Sequence, residues 1–368
     1  MSLIIQNYND DDFYQNFRMT RSTFSKLYFC VRPYLETIYS GDLVLSIPLN
    51  EVLYVTLFYM ASSSSIRTVA QRFGRSESGI TFAINEVCRI LEKIQHENIK
   101  WPDPTSYPLI SAQFHAKSGF PGVIACIGCC QISVVKVKKT NLGRNSWIDY
   151  EKGNVDLLAM VLPDKSFCFT YIGFPGSGNG SYVFKNSIWH QNYLVNREIY
   201  FPRGTEEYHL IGDHMFPLYE NLQVPFKNPD DCKINSQQII VSRQHIHQQM
   251  KQKILYNKKF LKAKFTVEQS FRDLVNRFQR CQSYVIHRRQ AVKEQTIKNY
   301  ARIVTTACVL HNMCIQNGDL FQYQDLSQVA LTDTITDWPT MTDSYISHYS
   351  VLTQSGTEKR NRIMKILT

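Results

Sequence analysis

Apolar positions recur at helical spacing through the first hundred residues. Phe17, Phe24, Leu27, Tyr28 and Val31 make one stripe, and Val52, Val55, Phe58 and Tyr59 make another. This periodicity predicts a helical N-terminal region. Within it, IRTVAQRFG (Ile66 to Gly74) reads as a short helix closed by glycine; RSES follows, and then a longer periodic stretch from Ile80 to Ile94. The pattern fits a helix-turn-helix whose second helix starts near Ser76, with Ser76, Glu77, Ser78 and Thr81 placed to meet phosphates or base edges. It fits an ordinary helical hairpin equally well, and Glu77 is unfavourable beside a phosphate.

From Gly122 the texture changes. The runs GVIACIGCCQISVVKV, VDLLAMVLP and SFCFTYIGFPG predict strands, with a turn at Pro163, Asp164 and Lys165. A helix is expected near Val183 to Tyr193, a short strand in YHLIGD (Tyr208 to Asp213), and helices again from Phe265 to Asn317. Strands, helix, strand and then helices predict an α+β domain with a mixed sheet flanked by helices, the element order of the RNase H-like nuclease fold. From about Gly318 the chain is rich in Ser, Thr, Asp and Gln and ends in EKRNRIMKILT, which reads as a polar, flexible tail. The expected division is a helical domain at 1–105, a mixed-sheet domain at 118–318 and a tail at 319–368.

Composition narrows the class. Hydrophobic residues at 43% and charged residues at 20% are ordinary for a soluble protein, and no apolar run approaches the roughly 18 residues of a membrane span. The N-terminus has no basic region followed by an apolar stretch, so a secretory signal is not expected and the cytosol or nucleus is. The ten cysteines then read as reduced thiols. Cys126, Cys129 and Cys130 are clustered, but no second pair at finger-like spacing accompanies them, and their neighbours spell a buried strand rather than a zinc site.

The formal charge of +10, from 41 basic and 31 acidic residues, favours a polyanionic partner. Its distribution is more telling. KQKILYNKKFLKAK (Lys251 to Lys264) holds six lysines and no acid and leads into an amphipathic pattern. Lys251, Lys253, Lys258, Lys259, Lys262 and Lys264 are therefore the candidate DNA contacts; the alternative is a solvated helix face.

Several segments, in order, resemble the PIF/Harbinger transposase superfamily: FRMTRSTFSKLYFCVRPYL, SSSSIRTVAQRFGRSESGI, SGFPGVIACIG, FPGSGNGSYVFKNS, LIGDHMFPLY, FTVEQSFRDLVNRFQR and ACVLHNMC. The resemblance runs from about Phe17 to Gly318. It implies a DDE-type core, in which three carboxylates hold two Mg2+ or Mn2+ ions that activate a water or a DNA 3′ hydroxyl for attack on phosphorus. Carried over position by position, Asp213 in LIGD matches the second acid and Glu268 in VEQSF the third. The first acid is replaced by Gly128, the nearby histidine by Gln131, and a further acidic position by Gly180.

The resemblance thus implies a domesticated, nuclear, transposase-derived protein, catalytically degenerate, that acts on DNA, chromatin or a protein such as a Myb- or MADF-like DNA-binding partner. The alternatives are a metal-dependent endonuclease using Asp213 and Glu268, and a scaffold without nucleic-acid contact. Two structural expectations follow. Gly128, Asp213 and Glu268 should converge, with Gly128 and Asp213 on adjacent strands, and Gly128→Asp should be accommodated and raise metal affinity.

Overall fold

The computed structural model describes residues 5, 7–39, 47–133, 154–175, 180–226, 243–282, 294–321 and 353–367. The N-terminal region is helical, as its periodicity requires: α1 (Asp10–Phe17), α2 (Arg21–Tyr39), α3 (Leu49–Ala61), α4 (Ile66–Phe73), α5 (Glu77–Lys93) and the short α6 (Gln95–Asn98). Helix α4 begins at Ser65, whose side chain accepts the Thr68 amide, and ends at Gly74 in the left-handed region with φ +63°. Ser76 caps α5 by accepting from Gly79 N. The turn between them is fixed by Arg75, whose guanidinium donates to both oxygens of the buried Glu51 carboxylate at 3.0 and 2.9 Å.

Helix α7 (Tyr107–Ser118) leads into the sheet. Its strands are β1 (Val123–Ser133), β2 (Asn154–Val161), β3 (Phe167–Pro175), β4 (His209–Ile211) and β5 (Leu222–Gln223), in the order β3-β2-β1-β4-β5. β1 to β3 form an antiparallel meander; β4 and β5 are added parallel to β1. This five-stranded mixed sheet is consistent with an RNase H-like core. Val123 to Ile127 of the central strand are all buried, which is why that stretch is continuously apolar rather than alternating. At its entry Gly122 (φ +74°) is required: an added Cβ would lie 2.5 Å from Glu207 O, in the place where β1 and β4 come together.

The helix expected near 183–193 is two pieces, α8 (Gly180–Lys185) and α9 (Ile188–Val195), because Ser187 accepts from His190 N and starts a new helix. The C-terminal helices are α10 (Arg243–Arg277) and α11 (Glu294–Gln316). α10 begins well before the periodicity from Phe265 suggested; Tyr256, Phe260, Ala263, Val267, Phe271 and Leu274 make one buried stripe over its C-terminal half, packed on α7 and the sheet. On α11, Asn312 accepts from Phe167 N at 2.8 Å and donates to Phe167 O and Asn98 O, while His311 Nε2 donates to Lys165 O. The ACVLHNMC motif is thereby a clamp on the start of β3.

Two structural facts bear on the expected domain division. The helical region and the sheet share one continuous hydrophobic core, tied by Arg280, which donates to the carbonyls of Tyr59 and Ser64, and by Arg302 paired with Glu92 at 2.5 Å. The tail is also not wholly flexible. Residues 322–352 lie outside the described residues, but α12 (Gln354–Ile366) packs on α10 and β5. Ile363, Met364 and Leu367 recur at helical spacing inside the basic segment and are buried. Lys359 donates to the carbonyls of Glu206 and Tyr208 at 2.6 and 2.9 Å, just ahead of β4. Among the described residues no helix is long and apolar enough to cross a membrane.

Candidate functional site

β1 and β4 are neighbours, with Cys126 opposite Ile211, so the chain leaving β4 runs beside Ile127 and Gly128. Gly212 permits this approach, since a Cβ there would lie 2.5 Å from Ile127 Cγ2 and 2.8 Å from Phe216. Asp213 follows immediately, and its carbonyl accepts from Phe216 N in a tight turn. Glu268 comes from α10, which crosses the same face of β1: Cys126 Sγ donates to Ala263 O, and a Cβ added at Gly128 would lie 3.0 Å from side-chain carbons of both Val267 and Phe271. Segments far apart in sequence thus bring positions 128, 213 and 268 to one end of the sheet.

Between Asp213 and Glu268 stands Lys264. Its ammonium lies 2.5 Å from Asp213 Oδ1 and 2.9 Å from Glu268 Oε1, with the lysine side chain 12% exposed, Asp213 30% and Glu268 50%. Burial alone lowers the lysine's pKa, but the two carboxylates and their hydrogen bonds outweigh it, and the net shift is upward; the group is held as a cation. Lys264, one of the six lysines expected to meet DNA, thus has its ammonium paired with two carboxylates. Its signal in the sequence was the i,i+4 spacing to Glu268, which is that of a helical ion pair.

The other substituted positions surround the same turn. Gly180 opens α8, where a Cβ would lie 2.9 Å from Met215 Sδ and 3.0 Å from Cys129 Cβ. Gln131 is exposed on β1 opposite the buried Asp156 of β2. In that register Asp156 shares the face of Cys129, not that of Gly128, so it does not supply the missing oxygen. The same alternation sends Cys126 and Cys130 to one face and Cys129 to the other. The thiols cannot converge on a metal, and burial pushes Cys130 up to about 11, assisted by Asp156.

A two-metal centre needs three carboxylates around its ions. Here both carboxylates are bound to one ammonium that offsets half of their charge, the third position has no side chain, and its Cβ direction is filled by Val267 and Phe271. Among the described residues no group of three or more His, Cys, Asp or Glu side chains is placed to hold a metal. The donor set does not fit the metal pair that the fold implies.

The remaining candidate lysines lie on α10 ahead of this cluster. Lys251, Lys258 and Lys262 are exposed and, at spacings of seven and four residues, share the solvent face of the helix. Lys253 is partly buried, its ammonium 5.5 Å from the Phe226 ring centroid, and Lys259 lies over Gly119 at the end of α7. Phe265, half-buried on α10, carries the Arg272 guanidinium 5.9 Å from its ring centroid.

The family described as "DDE superfamily endonuclease" matches residues 127–312, from Ile127 on β1 to Asn312 on α11. The chain is also similar to "Protein ALP1-like" of Arabidopsis thaliana, 26% identical over 225 residues, which cover 57% of this chain and 54% of that protein. It thus spans about half the length of the curated relative it matches. No solved structure matches the chain.

Proposed function

Because the chain belongs to the DDE superfamily endonucleases, in agreement with its resemblance to the PIF/Harbinger transposases, we propose that it is a domesticated, transposase-derived nuclear protein that keeps the DDE fold, has lost the nuclease chemistry and binds DNA. One observation carries the loss of chemistry: Asp213 and Glu268 close on Lys264 while Gly128 leaves the third corner without an oxygen. Phosphoryl transfer in this fold depends on metal-bound oxygens to stabilise charge on the attacked phosphate. Two carboxylates spent on an ammonium do not supply them.

DNA contact is assigned to the solvent face of α10, where Lys251, Lys258 and Lys262 stand roughly two to five turns before Glu268, at about 3.6 residues per turn. The α4–α5 helix pair is the weaker candidate. Ser76, Glu77, Ser78 and Thr81 are exposed, but the nearby Arg75 is committed to Glu51 and Arg72 donates to Asn16. A Myb- or MADF-like protein is the kind of partner that would supply sequence-specific binding beside such a non-specific surface.

Duplex binding should weaken steeply with salt, because phosphate contacts release counterions. Charge reversal at Lys258 and Lys262 should weaken it further and reduce the slope of log K against log salt by about two, roughly one per lost phosphate contact. Binding indifferent to both would leave the protein-scaffold reading in its place. A supercoiled-plasmid assay in Mg2+ or Mn2+ tests the chemistry: no nicking is expected from the wild type. Robust nicking that disappears in Glu268→Gln would overturn the reading in favour of an endonuclease built on the two surviving acids.

A further inference from the structure

We propose that Lys264 is a resident cation: its ammonium takes the place of a divalent ion between Asp213 and Glu268, clamps the end of β4 to α10, and closes the two-carboxylate site to metal. The inference rests on the reading of a silent centre and adds a cause that the missing acid alone does not give. Losing Gly128's ancestral oxygen removes one ligand, but Asp213 and Glu268 would still face one another and attract a single hard cation. Both carboxylates instead have an oxygen within 3 Å of the same nitrogen, at 2.5 and 2.9 Å.

Among the described residues no second cation is paired with either of these carboxylates. An ammonium is a compact, tethered point charge. Any ion entering from solvent has to displace a positive group that is covalently held in position and already hydrogen-bonded to both ligands. The clamp also has a mechanical consequence. β4 is only three residues long and is followed directly by Gly212 and Asp213, so the Asp213–Lys264 bridge ties the end of a very short strand to the long helix crossing the sheet.

The test compares the wild type with Lys264→Ala, Lys264→Arg and the double variant Lys264→Ala/Glu268→Gln, titrated with Mn2+ alone and read by thermal unfolding and by Mn2+ electron paramagnetic resonance. Wild type and Lys264→Arg should show no Mn2+-dependent rise in melting temperature. Lys264→Ala should melt lower in EDTA, regain stability with Mn2+, and bind the ion about tenfold or more tightly than the wild type, the scale on which a unit charge a few ångströms away biases a carboxylate. The double variant should lose the response. If Lys264→Ala does not fold in EDTA, Lys264→Gln, neutral and close in volume, carries the same comparison.

Equal Mn2+ uptake by wild type and the neutral variant would overturn the proposal, and so would a folded neutral variant that takes up no Mn2+. The outcomes separate the two claims. Mn2+ uptake by the wild type without plasmid nicking defeats the resident cation alone, whereas nicking by the wild type defeats the functional reading.

Discussion

Arg277→Ala should lose about 3–5 kcal/mol of folding stability, the scale of breaking a buried ion pair by removing one partner, with the loss read from the midpoint of urea unfolding. Arg277 ends α10, and its side chain and that of Asp319 are each only 2% exposed. The guanidinium donates to Asp319 Oδ1 at 3.2 Å, to Asp319 O at 2.6 Å and to Arg18 O at 3.2 Å, while Asp319 Oδ2 accepts the amide of Thr20 at 2.7 Å. One arginine therefore joins α10, the turn between α1 and α2, and the chain just beyond α11. Alanine would leave the Asp319 carboxylate buried with the Thr20 amide and no cation.

The double substitution Arg277→Met/Asp319→Leu should recover a large part of that loss, because the cost of the single change lies in the stranded charge rather than in an absent attraction. A single-variant loss under about 1 kcal/mol, the range of exposed pairs, would show that water reaches the pair and would remove this account. The effect should extend to the site. Lys264 and Glu268 sit on the same helix as Arg277, so loosening its end should also shift the Mn2+ response described for Lys264.

What the sequence revealed follows the range of each signal. Helical periodicity in 17–101 and the apolar run at Val123 to Ile127 are local records of burial, and they gave the helical region and the central strand correctly. The resemblance placed Asp213 at the end of β4 and Glu268 on the facing helix, a juxtaposition no local pattern contains. Lys264 was hidden by its company: five neighbouring lysines made a basic stripe the economical reading, and only the tertiary approach of Asp213 turns this one inward. The docked α12 was missed because three apolar residues among basic ones carry little weight until the helix Arg243–Arg277 is there to receive them.

Gly128→Asp is the second large effect, because the structure leaves a side chain at this position little room against α10. The new Cβ would lie 3.0 Å from Val267 Cγ2 and from Phe271 Cε2, both on a helix already packed on the strand. Neither is the free end of a flexible chain; valine is branched at Cβ and stiff. The carboxylate must then either force α10 outward or remain charged against an apolar face. A loss of about 3 kcal/mol is expected, from overpacking of a filled core together with a poorly paired buried charge. Adding Val267→Ala removes the nearest obstruction and should return part of the stability, seen as a recovered urea midpoint. Neither protein should nick supercoiled plasmid, because Lys264 still holds Asp213 and Glu268. In the Gly128→Asp/Val267→Ala background Mn2+ uptake should appear once Lys264→Ala is added, and should be tighter than in Lys264→Ala alone, because three carboxylates then face the ion with no competing ammonium. A Gly128→Asp protein as stable as the wild type that cleaves plasmid would show instead that the site had lost one oxygen and nothing else.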